Sequence, residues 1–168
     1  MIFKNIVFIV CLFVMSSSFS KVEPAGKVLR GKGLYTWFFI DVYNATLRAD
    51  KSNELYKYPL SLELSYLRSL SGEDIAKQSA KEILKLGGNK YIVGKWTVEM
   101  NKIFPDVNAG DSILANYTPD TGIIFYLNRT KELGKIKDQK FTQAFLDIWL
   151  SEKTRDQEFR RQLLGIKN

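Results

Sequence analysis

Residues 59–88 read PLSLELSYLRSLSGEDIAKQSAKEILKLGG, and a change of period inside this stretch decides the fold. Leu60, Leu62, Leu64 and Tyr66 take one face while Ser61, Glu63 and Ser65 take the other. That period of two predicts an antiparallel strand with one buried face. From Ser71 onward the period becomes helical, with Ile75, Ala76, Ala80, Ile83 and Leu84 forming a core stripe. Ser71 can accept from first-turn amides, and Glu73 and Asp74 suit the positive helix end. Gly87-Gly88 stops the helix.

The neighbouring segments extend the pattern. Upstream, after Gly31 and Gly33, TWFFIDVYNATLRA is aromatic and β-branched, one long strand or two with an irregularity. Downstream, residues 91–104 predict a second helix with Trp96, Met100 and Ile103 inward, halted by Pro105. A turn over Asp106–Asp111 leads to SILANYT, and a turn over Pro119–Gly122 leads to GIIFYLN, together a hairpin. Asp138 caps a helix FTQAFLDIWL; Thr154 opens a last one, with Gln157 as the far half of a capping box and Gly165 as its stop. Strands, helices, a hairpin and helices predict an α+β domain with helices on one face of an antiparallel sheet. No repeat or linker divides residues 21–168.

The first twenty residues are of another kind. Lys4 precedes an unbroken apolar run from Ile6 to Met15, followed by Ser16, Ser17, Ser18 and Ser20. This is the three-part form of a secretory signal, with cleavage expected after Ser20; the run is short for a membrane span, which needs about 20 apolar residues. The alternative is an uncleaved anchor. The mature chain is expected in the periplasm or outside the cell, with no stable membrane span.

Composition removes several chemistries. The chain has no histidine, and its one cysteine, Cys11, falls within the leader. A Ser-His-Asp triad, a Cys-His pair, a Cys/His zinc site and histidine-ligated haem are all excluded. No D-x-D-x-D-G calcium loop occurs, and neither metal nor cofactor is expected. Net charge is +7, or +6 without Lys4. Because Glu152, Asp156 and Glu158 intersperse Arg155, Arg160 and Arg161, no pure basic stripe marks a nucleic-acid surface.

Four pieces in order carry a resemblance: GKGL…FFIDVYNATL, LSLELSYLRSLSGEDIA, AGDSILANYTPDTGIIFYLN, and FTQAFLDIWL with QLLG. From about Gly31 to Gly165 the chain resembles the bacterial branch of the chalcone isomerase-like proteins. The resemblance implies an open-faced sandwich, one large curved antiparallel sheet covered by a layer of helices. The family includes plant isomerases that close a flavanone ring, plant proteins that bind fatty acids, and bacterial relatives that bind haem through histidine.

The isomerases need a guanidinium, a tyrosine and an asparagine to stabilise charge in the transition state. The matching positions hold Lys32, Ile75 and Glu82. A cation remains, but Ile75 has no hydroxyl, so plant-type isomerisation is not expected. The family's cleft maps onto Tyr43, Asn44 and Tyr66 on strands and onto Ile148 and Trp149 in the late helices. The late helices therefore resemble a lid and wall, although Tyr66 and Trp149 could also serve as core alone.

The resulting expectation is a non-catalytic protein binding a small lipophilic ligand, a fatty acid or an aromatic carboxylate, with Lys32 as anchor for an anionic head. One rival is an intramolecular lyase using Lys32, Tyr43 and Tyr66 on another unsaturated substrate. A second rival is an accessory protein docking on a cell-envelope component, whose mark would be a large exposed apolar patch.

Overall fold

The computed structural model describes residues 20–50 and 54–166. The leader expected over residues 1–20 therefore lies almost wholly outside the described residues. Six strands form one antiparallel sheet in sequence order: β1 (Leu29–Trp37), β2 (Ile40–Ala49), β3 (Leu60–Tyr66), β4 (Ser112–Thr118), β5 (Gly122–Leu127) and β6 (Lys131–Ile136). Helices α1 (Gly72–Lys85) and α2 (Lys90–Ile103) lie between β3 and β4, and α3 (Gln139–Leu150) and α4 (Gln157–Leu164) follow β6.

Register carries the alternation of β3 across the sheet. Leu64 sits between Ala45 and Ile113, Leu62 between Leu47 and Ala115, and Leu60 between Ala49 and Tyr117. These rows join Phe104, Phe141, Phe145, Leu146, Phe159 and Leu163 in one core between sheet and helices. The α+β sandwich expected from the sequence is the observed fold. Helix α4 packs on β1 and β2, α3 reaches β5, and α1 packs on α2 and α3.

The cap expected at Ser71 is present, accepting from the Asp74 amide, and Asp138 likewise accepts from the Lys140 and Phe141 amides. Gly165 ends α4 in the left-handed conformation at φ 66°, where a side chain would be strained.

Three local expectations are corrected. The cap of α4 is Asp156, which accepts from the Phe159 amide, whereas the Thr154 hydroxyl donates to the Ile148 carbonyl. The Gln157 side chain donates to the carbonyls of Glu152 and Thr154, so it braces the loop instead of closing a capping box. Leu84 is 41% exposed, outside the stripe that Ala76, Ala80 and Ile83 bury.

The second face of the sheet is not simply solvated. The segment ahead of β1 crosses it: the Val22 amide donates to the Arg129 carbonyl, the Ala25 amide to Asn116 Oδ1, and Asn116 Nδ2 to the Glu23 carbonyl. Ser61 and Leu114 on this face are buried, and Arg129 pairs with Glu63 beside them.

Candidate functional site

One row of the sheet is entirely tyrosine. Tyr35 on β1 pairs with Tyr43 on β2, and Tyr43 pairs with Tyr66 on β3. Residues directly opposite in antiparallel strands have side chains close enough for rings to touch. The Tyr35 and Tyr43 rings stack at 4.9 Å, and Tyr66 meets Tyr43 edge-on at 6.1 Å. The helices close over this row. Phe159 of α4 packs edge-on against Tyr35 at 5.9 Å and Tyr43 at 6.4 Å. Trp149 of α3 donates its indole N–H to the Tyr43 hydroxyl at 3.0 Å.

Electrostatics keep these phenols protonated. Burial pushes Tyr43 well above the ordinary phenol range, and the Trp149 hydrogen bond only partly offsets it. Burial alone raises Tyr66. Tyr35 is raised by burial, then by the nearby carboxylates of Glu82 and Asp156, with Arg155 acting in the opposite sense. Phenols in this state donate hydrogen bonds and do not act as bases near neutrality. Tyr43 accepts from Trp149, so its own proton remains available. The backbone of Tyr66 pairs with Asp111 and Gly110, while its hydroxyl forms no hydrogen bond with any described residue.

The residues expected at the site separate into two groups. Tyr43, Tyr66 and Trp149 come together, and Ile148 is partly buried against the core. Lys32 and Asn44 do not join them. Gly33 faces α4 so closely that an added Cβ would lie 2.6 Å from the Phe159 ring. Lys32, the next residue along the strand, therefore points to the opposite face, as does Asn44 between Tyr43 and Ala45. Both are exposed there. Lys32 thus stands on the face away from the helices, whereas the Arg155 guanidinium acts on Tyr35 of the tyrosine row.

The sequence pattern marks Arg155 only as one of three arginines interspersed with acids, and it does not mark Tyr35 at all. Tyr35 could have been found from its parity with Gly33, had the direction of either been known. Ile75 and Glu82 stand on α1. Ile75 packs on the core, while Glu82 accepts from Lys85 at 2.6 Å and from Gln78 at 2.8 Å.

Deeper in, Phe104, Phe125, Phe141, Phe145 and Trp149 form a chain of ring contacts at 5.1–6.0 Å. This interior is filled by aromatic side chains. Hollows of about 740 and 450 Å³ lie elsewhere, one on α2 around Tyr91 and Val98, the other beside Glu63 and Arg129. At the outer end of the tyrosine row Tyr35 is half-buried, and the charges of Glu82, Asp156 and Arg155 act on it. Among the described residues there is no group of three or more side chains able to hold a metal ion, and no helix long and apolar enough to cross a membrane.

Comparison with known proteins agrees with this architecture. The family model described as chalcone isomerase-like matches residues 20–165. An uncharacterized protein of Haemophilus influenzae is 31% identical over 163 residues, which cover 96% of this chain and 77% of that protein. Among solved structures, a fatty-acid binding protein of Arabidopsis thaliana superposes with a TM-score of 0.61 at 17% identity, covering 85% of this chain and 91% of that one.

Proposed function

The chain belongs to the chalcone isomerase-like family, and from that premise we propose that it binds a lipophilic carboxylate without transforming it. One observation carries the reading. Tyr43 and Tyr66 present neutral hydroxyls, with protons free to donate, on an otherwise apolar wall. Such a wall with a few polar anchors suits an elongated apolar molecule with one polar end. The name of the Arabidopsis neighbour, a fatty-acid binding protein, supports the choice of ligand class.

The same residues argue against catalysis. A hydrocarbon, Ile75, stands where the plant reaction places a hydroxyl, and the raised phenols are poor bases. Lys32 and the tyrosines lie on opposite faces of the sheet, which removes the constellation that an alternative lyase would use. Export belongs to the proposal as well, on the strength of the leader-like residues 1–20. N-terminal sequencing of the protein from its own host should begin at Lys21.

The test is a titration with a long-chain fatty acid, followed by calorimetry. A hydrogen bond to a charged head contributes about 1.5–3 kcal/mol, so Tyr66→Phe and Tyr43→Phe should each weaken binding roughly ten- to hundredfold. Arg155→Ala should weaken it too, and Lys32→Ala should leave it unchanged. Absence of binding below about millimolar concentration sinks the proposal.

A further inference from the structure

The β1–β2 hairpin ends in the most exposed apolar group among the described residues. Trp37, Phe38, Phe39 and Ile40 are 59, 76, 100 and 47% exposed. Strand β3 pairs with β2 only from Tyr43 onward, and the Leu67 amide just beyond it reaches the Val42 carbonyl, so Thr36–Asp41 projects past that edge with no strand beside it except its own hairpin partner. Leu34 and Leu67, at 46 and 43% exposure, widen the apolar collar.

The turn itself is unusual. Phe38 and Phe39 have φ of 45° and 66°. A two-residue turn with both central residues at positive φ strongly favours Asn-Gly, and bulky residues are strained there. No packing rewards Phe39, whose ring is fully exposed. The finger is nonetheless held in shape, by an edge-on Trp37–Phe38 contact at 4.9 Å and a 2.8 Å bond from Thr36 Oγ1 to Asp41 Oδ1. Strain without an internal return points to a use outside the molecule.

We propose that this tip inserts into the lipid–water interface of a bilayer containing anionic lipid. A convex apolar finger needs a deformable partner, and Trp and Phe favour the interfacial zone of a membrane. Charge agrees: Lys and Arg number 25 against 18 Asp and Glu, which draws the chain toward a negative surface. At this end the exposed cations Arg68 and Arg155 stand among the carboxylates of Asp41 and Asp156. The attraction therefore comes from the charge of the whole chain and not from a local basic patch. Arg68 follows Leu67, whose amide donates to the Val42 carbonyl, and Arg155 acts on Tyr35. Tyr35 and Tyr43 form the root of the hairpin and also line the cleft. Insertion would thus set the outer end of the tyrosine row against the membrane from which a lipophilic ligand comes. That last consequence rests on the proposed ligand binding; insertion itself does not.

The experiment is co-sedimentation with vesicles of phosphatidylethanolamine and phosphatidylglycerol, using protein recovered after export. The variant is Phe38→Asn with Phe39→Gly, which installs the residues the turn prefers and so keeps the fold, as circular dichroism would show. The wild type should pellet with the vesicles, and the variant should bind at least about tenfold more weakly, from the loss of two buried rings. Wild type remaining in the supernatant overturns the proposal, as does a variant that binds equally well. A wild-type dimer that the variant dissociates would assign the tip to self-association and also overturn it. Fatty-acid titration without vesicles should be the same for both proteins, so failure of the tip and failure of the cleft give different results.

Discussion

Trp149 on α3 donates its indole N–H to the hydroxyl of Tyr43 on β2 at 3.0 Å, joining residues 106 positions apart. This bond ties a helix to the strand whose neighbours form the tyrosine row. A neutral hydrogen bond contributes about 0.5–1.5 kcal/mol net. In a double-mutant cycle of Trp149→Phe and Tyr43→Phe, read by denaturant unfolding, the coupling energy should be of that size. A coupling near zero would mean that the two side chains act independently.

The Phe38-Phe39 turn should be less stable than its sequence alternative. Left-handed conformations cost non-glycine residues roughly 1–2 kcal/mol each. Phe38→Asn with Phe39→Gly should therefore raise the thermal midpoint by a few degrees, even though it removes two aromatic rings. A lower midpoint would show that the rings pack on something that their exposure does not reveal.

Gly33 is required by the ring it faces. An added Cβ would stand 2.6 Å from Phe159 Cε2, so Gly33→Ala must displace the Phe159 ring from its place against the tyrosine row. Overpacking of this kind costs about 1–3 kcal/mol. Lys32→Ala, one residue away on the open face, should cost much less; thermal unfolding of the pair would distinguish the two faces.

Alkaline pH should unfold the protein cooperatively. Burial raises Tyr43, Tyr56 and Tyr66 above the free phenol value of 10.0, and the Asp147 carboxylate adds to the shift at Tyr56. The folded state holds these protons more tightly than the unfolded state. The stability this confers is complete below the unfolded phenol value and declines as pH climbs past it toward the raised folded values. Phenolate absorbance of the buried tyrosines should appear together with loss of circular dichroism. Ionisation well before unfolding would contradict their burial.

Parts of the fold were legible because their causes are local. The alternation from Leu60 to Tyr66 needs only the pleat, and the caps at Ser71 and Asp138 need only amides within the next turn. Other parts were not. Strand β6 exposes Lys131, Glu132 and Lys135 at the sheet's edge and turns only Leu133 and Ile136 toward the core, across a bulge, so no alternation marks it as a strand. The Phe38-Phe39 turn carries none of the glycine, asparagine or proline that marks a hairpin, so one strand or two remained open. Thr154 and Asp156 are both good caps, and loop packing against Ile148 chose between them.

The sequence by itself determined the layer architecture and the aromatic content of the core, because hydrophobic period and end capping act within a few residues. Only the tertiary structure decided which face of β1 looks toward the helices. Lys32 and Gly33 differ by one residue, and in a strand that step reverses direction. Parity is set by Phe159, more than a hundred positions away, and no local rule reaches that far. The tyrosine row has the same origin, since three tyrosines become neighbours only when register aligns β1, β2 and β3.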